Sequence, residues 1–125
     1  MITLMEGYPD DVLAISGTGH VTAEDYHRVL VPEAEARIAR NGSISVLFLL
    51  GDGFAGYSPG AIWADTEFGL GHLSAFDRVA LVTDTKWIAE AARIFSPLFR
   101  KPFRIFPAAD LAKARNWILA NRGST

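Results

Sequence analysis

The sequence predicts a single α/β domain, residues 1–125, in which about four helices cover a mixed, mostly parallel five-stranded sheet. Three observations lead to this fold class. Strand and helix patterns alternate after an initial pair of strands. The segment SISVLFLL, residues 43–50, is almost wholly apolar, which is typical of a strand buried on both faces of a parallel sheet. A chain of 125 residues is also the usual size of one domain.

The first third of the chain predicts a hairpin followed by a long helix. Short strands over residues 2–5 and 12–17 are close enough in sequence to pair directly. The helix predicted over residues 22–40 begins at Thr22 as N-cap, with Asp25 placed for a near capping box. Pro32 removes a backbone donor within this helix and is expected to kink it. Asn41 and Gly42 are expected to end the helix.

The remaining elements give the order ββαβαβαβα. A glycine-rich loop, GDGFAGYSPG, follows the apolar strand. Strands are predicted at 77–83 and 102–106, and helices at about 59–73, 84–99 and 108–121. Strands that alternate with helices after a hairpin imply a sheet that is parallel except at one edge.

Composition excludes several classes of function. The chain has no cysteine, which rules out disulfides, thiolate metal sites and thiol nucleophiles. A net charge of −2 argues against a nucleic-acid partner. No apolar run approaches the ~20 residues of a membrane helix. The first residues, MITLMEGYPDD, lack a basic stretch followed by a long apolar one, so we expect no signal peptide. We therefore expect a cytoplasmic protein without a membrane span.

Motifs for metals and cofactors are also lacking. His20, His27 and His72 lack the paired spacing of metal ligands, and the GDGFAG stretch lacks the full pattern of a phosphate-binding loop. We expect no metal and no cofactor. The basic residues between Arg93 and Arg104 predict a solvated surface or, alternatively, a contact for an anionic ligand or an acidic partner.

The segment Gly56–Gly60 matches the G-x-S-x-G pattern of serine hydrolases. The residue after Ser58 is Pro59, whose missing N–H removes an oxyanion-hole donor worth about a hundred- to a thousandfold in rate. His72 would lie roughly 20 Å from Ser58 along the same helix. We therefore interpret Ser58 as a helix N-cap followed by proline at the first helical position. The protein is predicted not to be an enzyme, and a serine esterase is a distant alternative.

Candidate binding residues lie where the predicted parallel strands end, because ligands usually bind at that edge of a sheet. Asp52 and Asp65 could form a carboxylate pair, although Asp52 is more simply a loop residue and Asp65 either a helix-surface residue or a buried hydrogen-bonding residue. Tryptophans at such positions are most often part of the core or of a lid. The candidate binding residues are Phe54, Tyr57, Ser58, Trp63, Asp65, Phe68, Asp84 and Trp87.

Several stretches resemble the SpoIIAA-like family of bacterial proteins, which has the STAS-type fold of sulfate transporters and anti-sigma factor antagonists. They are Pro32 within the first helix, AIWAD at Ala61–Asp65, DRVALVTD with a following tryptophan at Asp77–Trp87, and FP with later alanine and tryptophan at Phe106–Trp117. The resemblance covers nearly the whole chain and implies a five-stranded mixed sheet with helices on both faces. It also implies a distant likeness to lipid-carrier domains of the CRAL-TRIO kind.

Anti-sigma antagonists carry a phosphorylated serine where a loop meets the second helix, which is close to the place of Ser58. This sequence departs from their pattern because it lacks the usual acidic and hydroxyl neighbours and has Pro59 directly after the serine. The resemblance therefore does not extend to phosphorylation of Ser58.

The sequence as a whole favours a non-enzymatic STAS-like regulatory module that binds a partner protein through residues 54–65, where Phe54 and Tyr57 are expected on a flexible loop. The alternative is a binder of a small apolar ligand or lipid, with a pocket between the second and third helices lined by Trp63, Phe68 and Trp87. A homodimer is compatible with the sequence, although no sequence feature requires one.

Overall fold

The computed structural model describes residues 1–51, 53–98 and 102–120. Its main sheet has five strands in the order β1-β2-β4-β6-β7. Strand β1 is antiparallel to β2, and every other neighbouring pair is parallel, which confirms the predicted mixed sheet with one antiparallel edge. These strands are β1 (Ile2–Leu4), β2 (Val12–Gly17), β4 (Ile44–Leu50), β6 (Phe76–Thr83) and β7 (Phe103–Phe106).

A second, two-stranded sheet corrects the sequence prediction. Strand β3 (Gly19–Val21) pairs in parallel with β5 (Phe54–Tyr57). These strands follow β2 and β4, so they extend that parallel pairing beyond the carboxyl edge of the main sheet. The prediction of a flexible glycine-rich loop at residues 54–57 is wrong, because these residues form backbone hydrogen bonds to a partner strand.

The first helical segment, residues 23–41, consists of α1 (Ala23–Asp25), a π-helical turn (Tyr26–Leu30) and α2 (Val31–Asn41). Its start confirms the predicted N-cap, since the Asp25 amide donates to Thr22 Oγ1 at 3.3 Å and the Thr22 amide donates to Asp25 Oδ2 at 2.8 Å. Pro32, where the sequence predicts a kink, has no N–H and follows the π-helical turn. The departure from regular α-helix therefore lies just before Pro32.

The other helices have bounds close to those predicted. They are α3 (Pro59–Gly71), α4 (Lys86–Phe95) and α5 (Leu111–Leu119). Gly42 ends the first helical segment with a φ of 82° and donates its amide to the Ile38 carbonyl, as the sequence predicts.

The main sheet separates two apolar clusters. Leu13 and Ile15 of β2 face the larger cluster, which α2, α3 and α4 cover, whereas Val12 and Ala14 face the cluster under α5. Strand β4 likewise contributes to both clusters, so the predicted two-faced burial of this apolar strand is confirmed. Among the described residues, no helix has the length and apolar composition to cross a lipid bilayer.

Gly17, the last residue of β2, has side chains of neighbouring strands packed close to its backbone. A Cβ at this position would be 2.6 Å from Leu50 Cδ2 and 3.2 Å from Val21 Cγ2. The side-chain-free backbone of Gly17 therefore lets Leu50 and Val21 pack under the junction of the two sheets.

We expect Gly17→Ala to lower the free energy of unfolding by about 1–3 kcal/mol, the usual effect of overpacking a core. Gly71→Ala is the control, because a Cβ there has no heavy atom within 4 Å and alanine favours a helix by about 0.5–1 kcal/mol. Urea unfolding of both variants checks this expectation. Equal effects of the two substitutions on the free energy of unfolding would show that the protein accommodates a Cβ at residue 17 without strain.

Candidate functional site

The predicted site residues lie on elements that end or begin at the carboxyl edge of the parallel strands. Phe54 and Tyr57 belong to β5, and Ser58 precedes α3. Helix α3 carries Trp63, Asp65 and Phe68, whereas Trp87 lies in the first turn of α4. The predicted second and third helices are α3 and α4.

Ser58 caps α3. Its Oγ accepts the Ala61 amide at 3.1 Å, and its own amide donates to the Val21 carbonyl of β3 at 2.9 Å. This geometry confirms the interpretation of Ser58 as an N-cap with proline at the first helical position. The cap also ties the start of α3 to the small β3–β5 sheet.

His72 is directed toward other partners than Ser58. Its Nδ1 is 2.9 Å from the Phe68 carbonyl, and its Nε2 is 3.6 Å from Glu35 Oε2. A serine nucleophile needs a base within hydrogen-bond reach, and His72 is engaged at the far end of α3. The geometry therefore provides no Ser58–His72 pair for nucleophilic catalysis.

Three aromatic side chains meet at the end of β5. The Phe54 and Tyr57 rings pack edge to face with centroids 5.4 Å apart, and Tyr57 makes a second edge-to-face contact with Trp87 at 6.4 Å. Such pairs contribute about 0.5–1.5 kcal/mol beyond the area they bury. Tyr57 thus links the β3–β5 sheet to the start of α4.

A hydroxyl network joins Tyr57 to two further elements. The Tyr26 hydroxyl donates to Asp65 Oδ1 at 2.7 Å, and the hydroxyl oxygens of Tyr26 and Tyr57 are 3.3 Å apart. A hydroxyl has one proton and so donates one hydrogen bond. When the Tyr26 hydroxyl donates to Asp65, the Tyr57 hydroxyl is therefore the donor in the tyrosine–tyrosine contact. The network connects the π-helical turn, β5 and α3.

Burial and charge set the protonation of this network. Burial raises the pKa of Tyr26 and of Tyr57, and the nearby Asp65 carboxylate raises both further. Both hydroxyls therefore remain protonated and available as donors near neutral pH. The pKa of Asp65 is raised by loss of hydration, and the Tyr26 hydrogen bond acts in the opposite direction.

Sequence reasoning missed Tyr26 as a site residue. The available signal was a tyrosine at a core position, because a buried tyrosine hydroxyl usually requires a hydrogen-bond partner. The side chain of Tyr26 is fully buried, and its partner Asp65 was already a candidate.

A cavity of about 90 Å³ lies between the π-helical turn, α3 and the main sheet. Asp65 and Phe68 are part of its wall, and none of the lining residues that the structure describes belongs to α4. Trp63 is 69 % exposed and Trp87 is 52 % exposed. The structure thus places Phe68 at this cavity and directs much of both tryptophan side chains to solvent.

The remaining candidate acids and bases have separate surroundings. Asp84 Oδ1 accepts the Ala108 amide at 3.0 Å and so holds the segment before α5, whereas Asp52 lies outside the described residues. Of the basic run, Arg104 stacks over the rings of Phe106 and Trp117, and residues 99–101 are outside the described part. Within the described ranges, no three His, Asp or Glu side chains are grouped to hold a metal ion.

Comparisons with known proteins agree with this architecture. The family model described as SpoIIAA-like matches residues 12–119. An uncharacterised protein with a SpoIIAA-like fold from Shewanella loihica PV-4 has a similar structure, with a TM-score of 0.74 and 29 % sequence identity. The alignment covers 94 % of this chain and 93 % of the other. No curated protein is similar enough to be matched to the chain.

We expect Asp65→Asn to become progressively more stable relative to the wild type as pH rises above about 3.8, the ordinary pKa of an aspartate. Because the folded-state pKa of Asp65 is raised, the folded protein keeps a proton that the unfolded chain has lost. The wild type therefore loses stability as pH rises through that window, and asparagine removes this loss.

Urea unfolding of both proteins from about pH 3.5 to about pH 7 measures the difference. The pKa of Asp10 is lowered chiefly by its hydrogen bond with Arg40, so its contribution to stability has the opposite pH dependence. Both proteins contain Asp10, and its contribution cancels in the difference between them. A stability difference that stays constant across this range would contradict a raised pKa of Asp65 in the folded protein.

Proposed function

Because the chain belongs to the SpoIIAA-like family, we propose that it is a non-enzymatic STAS-like module that binds a partner protein. The proposed contact surface, here called the tryptophan surface, comprises Ile62, Trp63 and Trp87. The single observation that carries the proposal is the 69 % exposure of Trp63 on a regular helix. Tryptophan is enriched among the residues that contribute most to protein–protein binding.

Two further large apolar side chains are exposed on α3 and α4. Ile62 adjoins Trp63 on the first turn of α3 and is 48 % exposed, and Trp87 occupies the equivalent first turn of α4. Single exposed apolar residues are ordinary, whereas several large ones on one edge of a domain are typical of interaction sites. The position at the carboxyl edge of the parallel strands agrees with the usual place of binding sites in α/β folds.

The supports beneath the tryptophan surface limit its conformational freedom. Ser58 caps the helix that carries Trp63, and the Tyr57 ring packs against Trp87. A partner that binds a preorganised surface loses less free energy to side-chain ordering, by about 0.5–1.5 kcal/mol for each side chain already fixed. This favours recognition by a folded partner at residues 54–65 and the start of α4.

The same geometry supports a role other than catalysis for Ser58. Its Oγ accepts a helix amide, Pro59 supplies no N–H for an oxyanion, and both ring nitrogens of His72 are close to other groups. We accordingly assign Ser58 a structural role at the edge of the binding surface.

We expect Trp63→Ala to weaken the complex by about thirtyfold or more, which corresponds to the ~2 kcal/mol of an interface hot spot. The partner is first captured from host extract with the wild-type protein and identified, and its Kd is then measured with purified components. Ile94→Ala is the matched control, because Ile94 is 73 % exposed on α4 but lies outside the tryptophan surface.

The control variant should bind within about threefold of the wild type, which is the usual range for residues outside a hot spot. Equal binding by the Trp63 and Ile94 variants would place the contact elsewhere on the domain. Circular dichroism on both variants establishes that neither substitution unfolds the chain.

A further inference from the structure

The cavity beside α3 combines an apolar wall with one carboxylate. Its volume of about 90 Å³ is several times the ~10–15 Å³ that a single water molecule needs in a cavity. It is well below the ~300 Å³ at which pockets for drug-sized ligands begin, so a whole lipid does not match it. The lining residues within the described part of the chain are Ile15, Leu30, Val46, Phe48, Asp65, Phe68, Phe76 and Val79.

Asp65 is the polar group of this wall, and its charge is not neutralised within the described part of the chain. Its Oδ1 accepts the Tyr26 hydroxyl, and none of the ion pairs among the described residues involves Asp65. The side chain of Asp65 is also exposed to solvent, so a ligand group can reach its carboxylate. A carboxylate at the edge of an apolar cavity is stabilised by a cation that arrives with the ligand.

We infer that this cavity binds the end of a short aliphatic ammonium group, with the alkyl chain among the apolar side chains and the ammonium donating to the Asp65 carboxylate. A chain of about four carbons and one nitrogen is far smaller than the drug-sized ligands that occupy pockets of ~300 Å³ or more. The ligand chemistry is that of a free primary alkylamine or of a lysine side chain. This inference is independent of the tryptophan surface, which carries no residue of the cavity wall.

Charge and hydrogen-bond chemistry select this ligand class over others. An anionic ligand would be repelled by Asp65, and a neutral alcohol would leave the carboxylate without a counter-charge. A divalent metal would need more oxygen ligands than a single carboxylate provides. Loss of hydration raises the pKa of Asp65. The positive charge of a bound cation would lower this pKa again.

The test is an NMR titration of the full chain with n-butylammonium, using n-butanol as the neutral probe of the same length. We expect saturable amide shifts at Leu30, Asp65 and Phe68 with n-butylammonium and binding at least about tenfold weaker with n-butanol, as for the loss of a charge-assisted hydrogen bond. Asp65→Asn should weaken n-butylammonium binding by a similar factor, because asparagine still accepts from Tyr26 but has no charge.

Glu67→Gln is the charge-matched control on the exposed face of the same helix, and its n-butylammonium affinity should equal that of the wild type. Val79→Ile adds one methylene to the cavity wall and should reduce binding while leaving Asp65 in place. The inference is overturned if n-butylammonium gives no saturable shifts at the cavity, if n-butanol binds equally well, or if the Asp65 and Glu67 variants weaken binding alike.

The source of the ammonium group is distinguished by repeating the titration with a short lysine peptide and its Nζ-acetylated form. Shifts at the same amides with the lysine peptide, abolished by acetylation, would assign the cavity to a lysine of a protein. Shifts with n-butylammonium but not with the lysine peptide would assign it to a free alkylamine. Either pattern supports an ammonium site.

Discussion

The hydroxyl of Tyr26 requires polar partners within an otherwise apolar interior, and the arrangement of the candidate site depends on how this requirement is met. The side chain is fully buried, and its oxygen lies 2.7 Å from Asp65 Oδ1 and 3.3 Å from the Tyr57 hydroxyl. A buried hydroxyl without a partner would cost about 1–3 kcal/mol. The folded state therefore favours one relative placement of the π-helical turn, β5 and α3.

This constraint connects the interior of the protein with its exposed aromatic residues. Tyr57 continues from the hydroxyl network to an edge-to-face contact with Trp87, and Asp65 lies half a turn along α3 from Trp63. The Ser58 cap fixes the start of the same helix against β3. The network, the cap and the ring contacts together give the tryptophan surface a defined geometry, which agrees with recognition of a folded partner.

The local signals of the sequence predicted much of this architecture. The apolar run at 43–50 gave the central strand, and the caps at Thr22 and Ser58 follow from residue types whose partners are three positions away. The small β3–β5 sheet was not predicted because its strands have only three and four residues. Its pairing joins segments more than 30 residues apart, which no local pattern encodes.

The arrangement of the candidate site was harder to predict from the sequence, because it also depends on contacts between distant positions. Eight candidate residues were selected by their position at one edge of the predicted sheet, but the contact between Tyr26 and Asp65 spans 39 positions in sequence. The directions of Trp63 and Phe68 also depend on tertiary packing, since both lie on a helix with apolar residues on all sides. The sequence therefore placed the candidate residues at one edge of the sheet but did not distinguish the cavity wall from the exposed surface.

Hydrogen exchange in Tyr26→Phe tests most directly whether the hydroxyl network positions the site. The ring is retained and only the hydroxyl is lost, so the amides of Ser58 and Ala61 should exchange about five- to tenfold faster, as for the loss of one buried hydrogen bond. Amides of β4 and β6 should be unchanged, and Tyr8→Phe, on the opposite face of the sheet, should leave Ser58 and Ala61 unaffected. Unchanged exchange at Ser58 and Ala61, or equal acceleration throughout the sheet, would contradict the account.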